Sequence, residues 1–122
     1  MDTLLNENLP IYMQIMDHIQ AAIISGELKA GEKIASVREL AEAFRVNPNT
    51  MQRALSELER EGLLVSEQTA GSFVTKDTEV IETVRGKAAE QIVIEFLQKM
   101  RNMGFTREQV EDFFRSVLSA GV

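Results

Sequence analysis

The sequence contains no cysteine, no tryptophan, two prolines and one histidine in 122 residues. The lack of cysteine excludes a disulfide framework and a cysteine-ligated metal site. A single histidine, His18, does not supply the several ligands of the usual histidine metal sites, and we interpret it as a helix-surface residue. The sequence also shows no nucleophile–base pair and no glycine-rich phosphate loop. We therefore expect no metal, no cofactor and no enzymatic activity.

Long apolar runs are also missing. No uninterrupted run approaches the roughly 18 residues that a membrane-spanning helix needs. The start of the chain, Met1–Glu7, lacks the basic and apolar regions of a signal peptide. The apolar fraction of 44% is enough for a core. These features predict a cytoplasmic protein that does not enter the membrane.

Positive charge is in short supply, because the net charge is −6 at pH 7. Residues 1–35 carry two bases and five acids, residues 36–76 five and six, and residues 77–122 six and eight. The middle segment is therefore nearly neutral, and none of the three is a polybasic arm. This balance argues against strong non-specific binding to nucleic acid but leaves specific binding open, since a few arginines on one face suffice.

Two short helices joined by a tight turn are predicted in the middle of the chain. Ser36 and Glu39 have the spacing of a capping box for a helix that runs to about Phe44. A second helix begins after Asn47, which is a good cap, and Gly62 closes it. These two helices and the turn between them are a helix-turn-helix pattern. An amphipathic helix that begins near Pro10 and ends at Gly26 precedes them.

The second of these helices opens with polar residues that packing does not require. Met51, Ala54, Leu55 and Leu58 form its apolar stripe. The exposed face of its first turns instead presents hydrogen-bonding groups with little formal charge. Such a face is suited to reading base edges.

Residues 63–75 have the pattern of a β-hairpin. Leu63–Val65 and Ser72–Thr75 are rich in apolar and β-branched residues, and 67–71 is a polar loop that ends at a glycine. A hairpin directly after a helix-turn-helix is a wing.

From Thr78 the apolar period is helical again. A long helix is predicted up to Gly104, and Thr106 with Gln109 caps a last one. The apolar arc of 80–103 is wider than one further helix can cover, so a symmetric dimer is the economical solution. The alternative is that both helices fold back on the preceding domain. The predicted dimerisation residues are Ile81, Val84, Ala88, Ile92, Val93, Phe96, Leu97, Met100, Phe113, Phe114 and Val117.

The ordered motifs of residues 9–75 resemble the winged-helix domain of GntR-family transcriptional regulators. They are Pro-Ile-Tyr-x-Gln-Ile, Gly-x-Leu-x-x-Gly, Ser-x-Arg-Glu-Leu-Ala, Val-Asn-Pro-Asn-Thr, Glu-Gly-Leu-Leu and Gly-Ser-Phe-Val. The short tail resembles the YtrA-like subfamily, whose genes are commonly associated with ABC-transporter operons. The predicted fold is thus mainly α with a small β-hairpin: a winged helix-turn-helix domain over 1–76 and a two-helix dimerisation tail over 77–122.

The resemblance implies roles for individual residues. Arg38 corresponds to the family's phosphate- and groove-contacting arginine, and Gly71 to the wing-tip glycine at the minor groove. Arg45 stands where glycine is frequent and is expected to contact a phosphate. The full set implied to bind DNA is Ser36, Arg38, Arg45, Asn47, Asn49, Thr50, Gln52, Arg53, Gly71 and Ser72.

The function that follows is a sequence-specific DNA-binding regulator, a repressor on an inverted-repeat operator, with double-stranded DNA and a second copy of the chain as partners. The alternative is a winged-helix interaction or effector-sensing module without DNA binding, which the acidic balance and uncharged wing favour. A small-molecule effector is left open. It could bind in the tail near Phe96, Met100, Phe113 and Phe114, although such residues are more often simple core.

Overall fold

The computed structural model describes residues 9–122, which form five helices and one two-stranded sheet. The first eight residues, which include Met1–Glu7 and the start of the predicted 1–76 domain, lie outside the described residues. The mainly α class with a small β-hairpin is confirmed. The elements are α1 (Ile11–Ile24), α2 (Val37–Phe44), α3 (Pro48–Arg60), β1 (Leu64–Glu67), β2 (Gly71–Val74), α4 (Thr78–Asn102) and α5 (Arg107–Ser119).

Two compact units divide the chain, Met1–Val84 and Arg85–Val122. The division falls inside α4 rather than before it, because the first two turns of that helix pack on the core of the first unit. The predicted domain boundary at 76/77 stays a prediction. None of the helices within residues 9–122 combines the length and the apolar character needed to cross a membrane.

The core of the first unit is built where the apolar periods of α1 and α3 meet. Every fourth residue of α1 from Ile15 onward points inward, and α3 contributes the stripe predicted for it. Leu63 and Val74 close the core from the hairpin side. The buried cluster consists of Ile15, Ile19, Ile23, Ile34, Ala41, Met51, Ala54, Leu55, Leu58, Leu63, Leu64 and Val74.

The helix ends follow the capping signals of the sequence. Ser36 Oγ accepts from the backbone N–H of Glu39 at 3.1 Å, and Glu39 Oε1 accepts from the backbone N–H of Ser36 at 3.0 Å. This is the predicted capping box. After α3, Gly62 takes φ +86°, a left-handed conformation that glycine adopts without a steric cost. The chain can therefore turn directly from α3 into the wing.

The wing is an antiparallel hairpin in which Val65 pairs with Phe73 and Glu67 with Gly71. Both strands begin one residue away from the predicted positions. A larger difference is that residues 31–34, which lie between two predicted helices and have no predicted strand, pair with β2 on its other side. Ile34 N–H donates to Ser72 O at 3.0 Å, and Val74 N–H donates to Glu32 O at 2.8 Å. Backbone hydrogen bonds to a distant strand hold this segment in place. Because they do not involve its side chains, the segment needs no alternation of apolar and polar residues.

The second unit contains the later turns of α4, and α5. Thr106 and Gln109 form the predicted capping box: Gln109 N–H donates to Thr106 Oγ1 at 3.2 Å, and Thr106 N–H donates to Gln109 Oε1 at 2.9 Å. Phe96 of α4 and Phe114 of α5 have ring centroids 6.4 Å apart, and Phe105, between the helices, has its ring centroid 5.1 Å from that of Phe113. Within residues 85–122, only Val110 is buried.

Candidate nucleic-acid interface

The amino end of α3 is exposed and capped by a single side chain. Asn47, in an extended conformation, accepts on Oδ1 a 2.7 Å hydrogen bond from the backbone N–H of Asn49. Pro48 occupies the first helical position, where its missing N–H costs no hydrogen bond. Asn47, Pro48 and Asn49 are all exposed. The positive end of the helix dipole is therefore open to an anion such as a phosphate.

The exposed face of α3 carries two further polar side chains, and each has a defined partner. Gln52 Nε2 donates to Ser56 Oγ at 3.1 Å, one turn along the same helix. The guanidinium carbon of Arg53 lies 3.9 Å from the centroid of the Tyr12 ring, which belongs to α1. Thr50 is half-buried. Amide and guanidinium groups in this position have the hydrogen-bonding pattern that pairs with adenine and guanine edges.

One exposed arginine lies at each end of α2. Arg38 is in its first turn, beside Ser36, whose hydroxyl is occupied in the capping box. Arg45 ends the helix with φ 57° and ψ 49°, a left-handed conformation that a residue with a Cβ rarely adopts. Among the non-glycine residues that the structure describes, Arg45 alone has positive φ. A strained arginine in the turn before α3 is a candidate phosphate contact.

Glu39, the residue after Arg38, carries a negative charge in the first turn of α2. The hydrogen bonds from the backbone and side chain of Ser36 lower the pKa of its carboxyl; desolvation opposes them, and the charge of Lys33 lowers the pKa further. Glu39 is thus an anion held in the cap of α2. Its charge stabilises the first turn of that helix.

The tip of the wing has a cation that the hairpin sequence does not contain. Gly71 takes φ +108°, and a β-carbon built on it would lie 3.2 Å from Cε of Lys33 and 3.9 Å from its Nζ. Lys33 comes from the segment that pairs with β2, and an isolated bridge joins it to Phe73. Ser72 is half-buried beside this segment. Residues 68–71 of the wing carry no charge themselves, but Lys33 lies beside the glycine of this loop.

Sequence reasoning missed Lys33 as a site residue. The lysine stands 38 positions before Gly71 in the chain, and no local pattern marks residues 31–34 as strand. The only available signal was Ile34, an apolar residue directly after two charged ones. His18, in contrast, is exposed on α1 as predicted, with its ring edge-on to Phe44 at 5.2 Å.

The predicted dimerisation residues fall into three groups. Ile81 and Val84 pack against the core of the first unit, so that part of the stripe is covered within the chain. Ala88 and Met100 are half-buried. The others remain exposed, with 67% of Ile92 and 54% of Phe114 accessible. The exposed members are Ile92, Val93, Phe96, Leu97, Phe113, Phe114 and Val117.

The part of the chain that the structure describes contains no group of three or more acidic, histidine or cysteine side chains placed to hold a metal ion.

Comparison with known proteins identifies similar chains. The sequence model described as bacterial regulatory proteins, gntR family, matches residues 11–74, which begin with α1 and end with β2. The uncharacterized HTH-type transcriptional regulator YhcF of Bacillus subtilis is 33% identical over 121 residues, 99% of this chain and 100% of that protein. The HTH-type transcriptional repressor YtrA of Bacillus subtilis is 38% identical over 78 residues, 64% of this chain and 59% of that protein.

A solved structure has the same fold along nearly the whole chain. The GntR family transcriptional regulator from Listeria monocytogenes superposes with a TM-score of 0.83 at 34% identity, covering 92% of this chain and 98% of that one. The similarity extends through α4 and α5 as well as the winged helix-turn-helix.

Proposed function

This chain belongs to the gntR family of bacterial DNA-binding transcription regulators, with a YtrA-like organisation, and we propose that it is a repressor that binds an inverted-repeat operator as a homodimer. The family is one of transcription factors and not of enzymes. The observation that carries the proposal is the open amino end of α3, where exposed hydrogen-bonding side chains surround a capped, unobstructed helix terminus. The protein acts in the cytoplasm, where its DNA lies.

The contacts divide into two classes in this proposal. Arg38 and Arg45 bind phosphates, while Asn49, Gln52 and Arg53 bind base edges in the major groove. Lys33 and Gly71 approach the adjacent backbone or minor groove at the wing. The open end of α3 attracts a further phosphate without a lysine, which explains how a chain of net charge −6 binds DNA. Because few cations take part, the salt dependence of binding is shallow for a winged-helix dimer.

The second unit supplies the dimer. Two helices with one buried side chain leave an apolar surface too large for a stable isolated unit, and a second copy covers it. Each dimer then presents two α3 helices, which suits half-sites separated by about one duplex turn or more. The regulated genes include a transporter operon in this proposal, and transcript levels in a strain lacking the gene would test that part.

A titration tests the proposal. The full-length protein is added to a labelled duplex from the region upstream of its own gene and to a random duplex of equal length, and fluorescence anisotropy is recorded. Binding to the upstream duplex at concentrations that leave the random duplex free supports a specific regulator. If the protein bound neither duplex, the result would favour a winged-helix interaction module without DNA binding.

Two substitutions separate the contact classes in the same titration. Arg38→Ala should weaken binding to both duplexes and lower the slope of log K against log salt by about one phosphate equivalent. Gln52→Ala should cost about 1–3 kcal/mol on the preferred duplex and little on the random one. The division of roles would be contradicted if both variants lowered the affinities for the preferred and the random duplex by the same ratio.

A further inference from the structure

Tyr12 contacts a proposed base-reading residue although it lies on a different helix. The Cζ atom of Arg53 is 3.9 Å from the centroid of the Tyr12 ring. Tyr12 is in the first turn of α1 and is partly buried against the core of the first unit, whereas Arg53 is exposed on α3. The contact thus joins a side chain held by the core to one that extends into solvent.

The Cζ–centroid distance of 3.9 Å is that of a guanidinium stacked on the ring, an arrangement that leaves the hydrogen-bonding groups of Arg53 available. An arginine stacked on an aromatic ring uses the flat face of its guanidinium, and its N–H groups point outward in the plane. Those in-plane groups form the fork that pairs with O6 and N7 of guanine. A ring under the guanidinium therefore restricts the rotamers of a long side chain without occupying its donors.

We propose that Tyr12 is a positioning residue that fixes Arg53 for reading a guanine and so contributes to sequence preference. The inference deepens the proposed function and depends on it. An arginine already held in place loses less conformational entropy when it binds a base, so the correct base pair gains affinity over the others. Gln52 is held independently by Ser56 within α3. A change at Tyr12 should therefore alter the base position read by Arg53 and leave that read by Gln52 unchanged.

The test starts from a duplex selected out of a randomised library with the wild-type protein. Affinity is then measured for that duplex and for single base-pair changes of each selected guanine. Tyr12→Phe keeps the ring, and Tyr12→Leu removes it. We expect Tyr12→Leu to lower discrimination at one guanine by about two- to fivefold, the range of a cation–π contact at an exposed site. Tyr12→Phe should retain it.

A double-mutant cycle shows whether Tyr12 acts through Arg53. In an Arg53→Ala background the substitution Tyr12→Leu should no longer change discrimination at that guanine. Thermal unfolding of each variant checks that the protein is folded. If Tyr12→Leu does not fold, the comparison of the wild type with Arg53→Ala continues by fluorescence.

Fluorescence reports directly on the contact, because Tyr12 is the only tyrosine and the chain has no tryptophan. Arg53→Ala should change the emission of Tyr12 in the free protein, and binding of the selected duplex should change it in the wild type. The inference is overturned if the Arg53→Ala emission equals that of the wild type, or if the loss of discrimination persists without Arg53. Should the library yield no enriched duplex, the proposed function itself fails.

Discussion

Asn47 Oδ1 accepts a 2.7 Å hydrogen bond from the backbone N–H of Asn49, so the side chain of Asn47 is engaged in capping while that of Asn49 is left on the surface. Two asparagines on either side of Pro48 thus have different surroundings at the amino end of α3. The first caps the helix. The second is exposed, and in the proposed function it contacts DNA.

This difference predicts distinct effects of two similar substitutions. Asn47→Ala should lower the free energy of unfolding by about 0.5–2 kcal/mol through loss of the cap, and it should also lower DNA affinity. Asn49→Ala should leave stability unchanged and lower affinity alone. Thermal melts and binding isotherms of the two variants measure both quantities. If both variants lost stability and kept their DNA affinity, the polar residues 47–50 would serve only as a cap.

Replacing Arg45 by glycine should make the protein more stable and weaken its binding to DNA. Arg45→Gly should raise the free energy of unfolding by up to about 1 kcal/mol. The left-handed conformation costs a residue with a Cβ about 1–2 kcal/mol, and the greater freedom of glycine in the unfolded chain removes part of that gain. The same change should weaken DNA binding through loss of the guanidinium. Arg45→Asn, which tolerates the conformation without the charge, is the matched control.

Lys33 predicts a phosphate contact at the wing. Lys33→Ala should weaken binding to specific and random duplexes alike and lower the salt slope by about one phosphate equivalent. Lys29→Ala, in the same connection but outside the segment paired with β2, is the control and should change the slope less. Anisotropy titrations over a range of salt concentrations provide the comparison. Equal slopes for the wild type and Lys33→Ala would remove Lys33 from the interface.

The exposed apolar residues of the second unit predict a dimer that charge can dissociate. Phe114→Glu and Ile92→Glu should each shift the protein towards monomer, because an uncompensated charge in an apolar contact costs several kcal/mol. Val65→Glu places the same charge on an exposed apolar residue of the wing and should leave the dimer intact. Light scattering at micromolar concentration measures the mass. A wild-type monomer, or a dimer that survives deletion of 85–122, would contradict the proposal.

Glu39 predicts a loss of stability in acid. Its folded-state pKa lies below the ordinary value of 4.5, so its stabilising effect is complete above pH 4.5 and is lost as pH falls through the lowered value. Glu39→Gln retains an oxygen that accepts from Ser36 but has no charge to lose. Its melting temperature should therefore change less than that of the wild type between about pH 3 and 6. Ser36→Ala keeps the backbone N–H that is the largest cause of the shift and removes only the contribution of the side chain, so it should flatten the profile in part.

Local signals in the sequence were sufficient for the helices and their ends. Ser36 with Glu39, Thr106 with Gln109, and Asn47 before Pro48 all cap where predicted. A cap requires only residues within one turn of each other, so its chemistry is legible in the order of residues. The same holds for the apolar stripes of α1 and α3 and for the winged helix-turn-helix fold, whose motifs are contiguous. Which residues contact DNA or a second copy stays a prediction.

Contacts between distant parts of the chain were decided by the tertiary structure alone. Lys33 reaches Gly71 because residues 31–34 pair with β2, and Tyr12 lies under Arg53 because α1 packs on α3. Ile81 and Val84 belong to the same stripe as Ile92 in the sequence, yet they pack on the core of the first unit. Helical periodicity states which side chains share a face, but not what covers that face. The covering surface comes from residues far away in the chain, and only folding brings them together.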